Sequence, residues 1–288
     1  MERSLFCFGF GFTARQIAED FPEVRVMGTG RSPAEGAAEG DIPLYPFRRD
    51  QRIENFTDIA AEVTHILLSI PPDAEGDPVF DVMAEDILRL KNLQWIGYLS
   101  TTGVYGNLDG GWVDEESPYN PSGERGNRRM RAEQEWRSLY ETKGLPLQIF
   151  RLPGIYGPGR NQLVSLKNGK ARRIAKPGQI FSRIHVADLA AILMASMEKP
   201  NPGAIYNVAD EEPAPPQDVV AHAAELLGLE PPPLIDFDKA DLSPMARSFY
   251  SDSKRVSNAK IKSELGISLK FPTYREGLAA LLDGKIGI

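Results

Sequence analysis

The stretch Ser4-Leu5-Phe6-Cys7-Phe8-Gly9-Phe10-Gly11-Phe12-Thr13-Ala14 constrains the fold more than any other part of the chain. Ser4 to Phe8 is mostly apolar and reads as a buried strand. A glycine turn follows, and Thr13 to Asp20 reads as a helix start. Gly9, Gly11 and Ala14 fit the spacing G-x-G-x-x-G/A. In that pattern the first glycine makes the tight turn, the second lets backbone approach a pyrophosphate, and the third small residue lets helix pack closely on strand. The start of the helix, around Phe12 and Thr13, then points N–H groups at the anion. An ordinary tight βα turn has the same look, so the rest of the chain has to support the motif.

A chain of 288 residues accommodates one large domain or two coupled ones. Its 42% hydrophobic and 25% charged content is ordinary for a soluble globular protein. A formal charge of −7 argues against nucleic acid or an anionic membrane as partner, while a local basic pocket stays compatible with it. No apolar run reaches membrane-spanning length. Strand and glycine turn follow Met1-Glu2-Arg3 at once, unlike a signal peptide, so the cytoplasm is the expected location. The single cysteine, Cys7, reads as a small buried hydrophobe. Three scattered histidines and one cysteine offer no ligand spacing, so no metal is expected.

Val24 to Met27 is a second short strand, followed by Gly28-Thr29-Gly30-Arg31-Ser32. In a dinucleotide fold an acid at this point bonds the ribose 2′-hydroxyl of NAD, and a basic residue accommodates the 2′-phosphate of NADP. Here stand Thr29, Arg31 and Ser32, a cation and two hydroxyls, which favours NADP with NAD as the alternative. A solvated loop arginine is the bland reading of Arg31. Pro33 to Asp41 reads as a loop, and Ile42 to Phe47 as an edge strand because of its prolines. Asp50 to Glu62 reads as a helix or half-ordered connector. Thr64 to Ile70 is a central strand stopped by Pro71-Pro72, and its end, with Ser69 and Pro71, would border the cofactor. His65, at the other end of that strand, is expected to be structural. Gly76-Asp77-Pro78 opens a helix, and Leu93 to Leu99 is the next strand. Strands alternating with helices predict an α/β fold, a Rossmann-type doubly wound parallel sheet with ligands at the strand carboxyl ends.

After that strand comes Ser100-Thr101-Thr102-Gly103-Val104-Tyr105-Gly106. Glu115-Glu116-Ser117-Pro118, Arg151-Leu152-Pro153-Gly154-Ile155-Tyr156-Gly157-Pro158-Gly159-Arg160 and Arg183-Ile184-His185-Val186-Ala187-Asp188-Leu189-Ala190 follow in order. Together these resemble the extended short-chain dehydrogenase/reductase family, which includes NAD-dependent epimerases and dehydratases of nucleotide sugars. The resemblance implies a catalytic hydroxyl at Thr101, with Ser100 and Thr102 as near alternatives. It places Ser100 and Pro153 beside the cofactor.

The family's catalytic pair is Tyr-x-x-x-Lys on one helix face. Matching Ala132-Glu133 to the family's Ala-Glu puts Arg125 at the tyrosine and Arg129 at the lysine, so the chain resembles an atypical member that lacks the pair. Arg129 can still bind ribose hydroxyls or a phosphate. Arg125 stays charged and cannot shuttle a proton, but can bind an anionic group or polarise a carbonyl. A solvated basic face of Arg125, Arg128, Arg129 and Arg131 is the plain alternative. Tyr105, Tyr119 and Tyr156 are each within reach as proton source, and none is singled out.

From Tyr156 to Phe181 the chain is loop-rich and basic, which suits a phosphorylated or carboxylated substrate as well as a solvated loop. Tyr105, Tyr156, Arg160, Arg183, His185 and Arg247 are the candidate substrate contacts, with a structural role preferred for His185 and Asp188. Lys254-Arg255-Val256-Ser257-Asn258 and Leu265-Gly266 resemble the family's C-terminal segment. The resemblance implies a dinucleotide-binding domain over 1–155 and 182–208, interleaved with a smaller substrate lobe over 156–181 and 209–288. It implies a homodimer acting on a small sugar-like or carbonyl substrate, anionic and nucleotide-sugar-like, through an atypical proton donor. A non-catalytic NADP-binding sensor is the alternative.

Overall fold

In the computed structural model, which describes residues 3–31 and 38–284, the apolar run at the amino end lies at the middle of the sheet. The first of two units comprises Met1–Thr101, Asn127–Arg151 and Ala190–Tyr206. Its elements begin with β1 (Ser4–Phe8), α1 (Phe12–Asp20), β2 (Arg25–Gly30), β3 (Ala38–Glu39) and β4 (Ile42–Pro46). They continue with α2 (Phe56–Ile59), β5 (His65–Leu68), α3 (Pro78–Leu88), β6 (Trp95–Thr101) and α4 (Glu124–Lys143). The eight-stranded sheet has the order Ile205–Asn207, Leu147–Leu152, β6, β5, β1, β2, β4, β3. β1 pairs in parallel with β2 (Leu5 opposite Val26) and with β5 (Leu5 opposite His65). The chain therefore winds outward in both directions from β1, and the crevice at its carboxyl end is the switch point where such sheets bind ligands.

All five residues of β1 are buried, as expected of a parallel strand covered on both faces. Phe6 packs against Phe8 and Phe56 with ring centroids 5.1 Å apart in each case, and Phe8 meets Phe47 at 5.5 Å. Each such buried ring contributes on the order of 2–3 kcal/mol. α3 starts where the sequence predicts: the Asp77 carboxylate accepts from Val79 N at 2.9 Å and Phe80 N at 3.1 Å, with Pro78 at the first turn. Cys7 is fully buried, and burial raises its thiol pKa. His65 is buried, with its pKa pushed down to about 4 by desolvation and Arg3.

Three predicted elements differ. The Ile42–Pro46 strand is not the edge, because Ala38–Glu39, expected in a loop, pairs antiparallel outside it. Only Phe56–Ile59 of the 50–62 stretch is helical, one short turn started by Asn55 in the left-handed region (φ 53°). The basic stretch after Tyr156 holds a helix, Gln162–Lys167, capped by the Asn161 side chain, and a strand, Arg173–Ala175.

The second unit comprises Thr102–Gly126, Leu152–Leu189 and Asn207–Ile288. It contains three two-stranded pairings: Gly154–Tyr156 with Arg183–His185, Arg173–Ala175 with Leu234–Asp236, and Trp112–Val113 with Arg255–Val256. Leu163, Val219, Ala223, Tyr274, Leu278 and Leu281 form its core. The helix Ala259–Leu265 ends on Gly266 at φ 68°, so Leu-Gly is a helix stop. No helix among the described residues is long and apolar enough to cross a membrane.

Candidate functional site

In the first unit the glycine turn joins the carboxyl ends of three strands. Gly9 has φ 95°, and its N–H donates to Thr29 Oγ1 at 2.8 Å. Phe10 N donates to Thr29 O at 2.8 Å. Thr29 is thus buried and spends its hydroxyl on the turn. Ser69 Oγ donates between Phe8 O at 3.0 Å and Gly9 O at 2.8 Å, tying β5 to β1. A Cβ on Gly9 would lie 2.6 Å from Ser69 Oγ, which explains the glycine there. A Cβ on Gly11 would meet nothing within 4 Å. Gly11 is also the N-cap of α1, and no side chain caps that helix end. Open space above Gly11 and an uncapped helix start are what a pyrophosphate needs, so the residues present fit a dinucleotide. Thr13 and Ala14 are buried behind the turn, Phe12 is half-buried, and Pro71 is exposed.

Arg31, the residue after β2, has its side chain exposed and without a side-chain partner among the described residues. Arg48 Nε donates to the Arg31 carbonyl at 2.6 Å. Ser32 lies outside the described residues.

At the end of β6 the hydroxyl of Ser100 is held by Glu133. Glu133 is 0% exposed and pairs with Arg151, 2% exposed, at 2.8 Å. Thr101, the next residue, is half-buried. Arg129 Nη1 donates to Leu99 O at 2.8 Å and Tyr98 Oη at 3.2 Å, so its head is planted beside this strand end. Burial, the largest influence, raises the Tyr98 hydroxyl pKa against the opposing pull of Arg129.

The second unit holds the candidate substrate contacts in separate places. Tyr105 is buried and its hydroxyl donates to Asn207 Oδ1 at 2.7 Å. Arg125 is exposed and lies over the Phe249 ring at 5.2 Å. Arg160 is an exposed turn residue whose backbone pairs with Gly157. Arg247 donates to Ala240 O at 3.1 Å and stacks over Phe237 at 4.8 Å. Pro153 is half-buried. Tyr156, Arg183 and His185 do come together: the Tyr156 and His185 rings are 5.1 Å apart on paired strands, and Arg183 precedes His185 by two residues. Burial, with Lys270 adding, lowers the His185 pKa to about 4, so it is a neutral ring whose Nδ1 accepts from Ala187 N at 3.2 Å. Asp188 turns out to do more than sit at a helix start. Its carboxylate accepts from Lys270 N at 2.7 Å and Phe271 N at 3.0 Å.

Sequence reasoning missed three acids. Glu133 had a signal in the Ala132-Glu133 match, but its pairing with Arg151 had none. Asp210, 1% exposed, has its pKa raised to about 8 by desolvation against the opposing charge of Arg183, and nothing local marks it. Glu39 meets Arg15 at 2.6 Å beside the glycine turn, across a segment read as loop.

A doubly wound parallel sheet, with a glycine turn and an open helix start at its switch point, defines a fold of the Rossmann class. The model of the NAD dependent epimerase/dehydratase family matches residues 82–209 of this chain. A functionally unknown conserved protein from Silicibacter pomeroyi is 49% identical, with a TM-score of 0.87 over 98% of this chain and 99% of that one. Protein YeeZ of Escherichia coli (strain K12) is 30% identical over 180 residues, 61% of this chain and 58% of that protein, so the match spans somewhat over half of that relative. The UDP-glucuronic acid 4-epimerase from Bacillus cereus, in complex with NAD, shares the fold at 16% identity, with a TM-score of 0.76 over 97% of each chain.

Proposed function

We propose that the protein is an NADP-preferring oxidoreductase or epimerase-like enzyme acting on a sugar-like or carbonyl substrate that carries negative charge. The observation that carries this reading is the open space above Gly11 at the uncapped start of α1, with Arg31, just past β2, exposed and without a side-chain partner among the described residues. Gly9, Gly11, Phe12, Thr13 and Ala14 would hold the pyrophosphate and Arg31 the 2′-phosphate, with Thr29 and Ser69 shaping the turn. Bound there, the nicotinamide would supply or accept a hydride.

Thr101 would hydrogen-bond the substrate oxygen. Arg129, anchored on the Leu99 carbonyl, would turn its other N–H groups to the ribose hydroxyls. Arg125 would bind an anionic substrate group, since guanidinium keeps its proton. The fold neighbour named for UDP-glucuronic acid supports an anionic sugar nucleotide as the class to try first. A cytoplasmic homodimer, its first unit serving the cofactor and its second the substrate, belongs to the same proposal.

One observation favours a second reading, an NADP-binding sensor without turnover: no tyrosine occurs between Glu124 and Arg131, where the family motif has its proton donor. Parallel calorimetric titration with NADPH and NADH tests the shared part. Tighter NADPH binding that Arg31→Ala erases supports the NADP reading, and binding of neither cofactor refutes both readings. Hydride exchange with any carbonyl compound or sugar nucleotide then excludes the sensor. Failure across that panel with tight NADPH binding refutes the enzyme.

A further inference from the structure

We infer that Arg49 is a positioning residue for the dinucleotide, bracing two loops against each other across the carboxyl ends of β1 and β2. The inference rests on the dinucleotide reading above and not on the choice between NADP and NAD. Strand register fixes where the brace lies. Gly30 pairs with Pro46. Carried forward, the registers of Cys7 opposite Gly28 and of Phe8 opposite Leu68 set Gly9 level with Gly30 and with Ser69. Arg49 comes three residues after Pro46 and Asp73 four after Ser69, so both have left the sheet at the edge that carries the glycine turn. In the sheet β4 and β5 are separated by β2 and β1, and a bond between the loops that follow them crosses both strand ends. Phe47 N donates to Gly30 O at 3.0 Å, which holds the first loop against the end of β2. A Cβ on Gly9 would lie 3.1 Å from Ile70 Cγ1, so the second loop begins against the glycine turn.

All three guanidinium nitrogens of Arg49 serve this crossing. Nε donates to Asp73 Oδ2 at 2.9 Å, and Nη2 to Asp73 Oδ1 at 2.8 Å and to Gly76 O at 3.0 Å. Nη1 donates to the Asp81 carboxylate on the first turn of α3. Asp73 also closes its own loop, accepting from Glu75 N at 2.8 Å. Gly76 has φ 140°, and a Cβ there would come 3.2 Å from Asp81 Oδ2, so glycine lets the turn bring these acceptors to one guanidinium. The Arg49 hydrogen bond lowers the Asp73 carboxyl pKa, and both groups carry their charge. A lysine offers a point charge and cannot reproduce the fork. The braced loop carries Pro71, an expected cofactor contact. Without the brace that loop is free to leave the glycine turn, and Asp73, Glu75 and Asp81 lose their shared cation.

The test is calorimetric titration of wild type, Arg49→Met, Arg49→Lys and the control Arg52→Met with NADPH and with NADH, at low and at high salt. Arg52 pairs with Asp86 farther along α3, so its loss disturbs the same packing away from the strand ends. Urea unfolding reports the stability of each protein. Arg49→Met is expected to weaken both cofactors by a similar factor, on the order of tenfold, which corresponds to a loop in place about a tenth of the time. The loss is expected to persist at high salt, where unpaired carboxylates repel the pyrophosphate much less. Arg49→Lys should fall between wild type and Arg49→Met, and Arg52→Met should bind as wild type does whatever its stability. Wild-type affinity in Arg49→Met overturns the inference. Equal loss in Arg52→Met overturns it too, since general loosening would then be the cause. So does a loss confined to NADPH or abolished by salt, since charge and not position would then act. If Arg49→Met does not fold, Arg49→Lys decides: weaker binding of both cofactors supports the brace, and wild-type binding overturns it. A wild type that binds neither cofactor overturns the dinucleotide reading itself and is seen before any variant is compared.

Discussion

Replacing Arg151 by methionine removes one member of a buried ion pair and keeps an unbranched side chain of similar reach. Glu133 is then left 0% exposed without its guanidinium contacts at 2.8 and 3.3 Å, while the Ser100 hydroxyl still donates to it. Breaking such a pair from one side costs about 3–5 kcal/mol, because the surviving charge stays dry. At about 2–4 °C per kcal/mol for a domain of this size, the melting temperature should fall by roughly 6–20 °C. The double variant Arg151→Met/Glu133→Gln removes both charges and keeps an acceptor for Ser100. It should recover more than half of the loss, although two substitutions are present. Urea unfolding at pH 7 followed by tryptophan fluorescence and circular dichroism measures all three proteins. The reasoning is refuted if Arg151→Met shifts stability by less than about 1 kcal/mol, or if the double variant is as unstable as Arg151→Met alone.

Gly9→Ala should abolish measurable NADPH binding in calorimetry and lower stability by about 1–3 kcal/mol, since φ is 95° and the new Cβ would lie 2.6 Å from Ser69 Oγ. Asp210, with its pKa raised to about 8 from an ordinary 3.8, stays protonated in the fold while the unfolded chain ionises, so stability should decline between about pH 4 and pH 8. Asp210→Asn should remove that part of the slope in urea midpoints taken across the range. His65 and His185, both near pKa 4, act in the other direction: the unfolded chain takes up protons below pH 6.5 that the fold refuses, so stability should be lost as pH falls from 6.5 to 4. His185→Gln should flatten the acid side of the same profile.

Local patterns made much of the fold legible. An apolar run followed by Gly9-Phe10-Gly11 can place its residues in only a few ways, and the observed strand, turn and helix are the predicted ones. Asp77-Pro78 announced α3 because a helix start needs a cap and tolerates proline. Leu265-Gly266 likewise marked a helix end. Where local signals were mixed, as from Asp50 to Glu62 and from Tyr156 to Phe181, packing decided between helix and loop.

Candidate site residues divide in the same way. Gly9, Gly11 and Ala14 belong to one turn of chain, so their spacing alone encodes their geometry. Tyr105 looks locally like a reactive group, Asp188 like a helix-start acid and Glu39 like a loop charge. Each is engaged by a partner far along the chain: Asn207 for Tyr105, the backbone of Lys270 and Phe271 for Asp188, and Arg15 for Glu39. No periodicity encodes such pairings, because they exist only once the sheet has closed the intervening loops.

The sequence by itself determined the βα cradle and the alternation of strands and helices through the first unit's sheet, since caps, glycine turns and buried parallel strands are short-range physics repeated along the chain. Tertiary structure alone decided which charges are spent and which remain open. Glu133 is neutralised in the core by Arg151 and Glu39 at the surface by Arg15, while Arg31 is left unpartnered among the described residues. The reason is that burial and Coulomb energy depend on distance in space, and distance along the chain does not fix it.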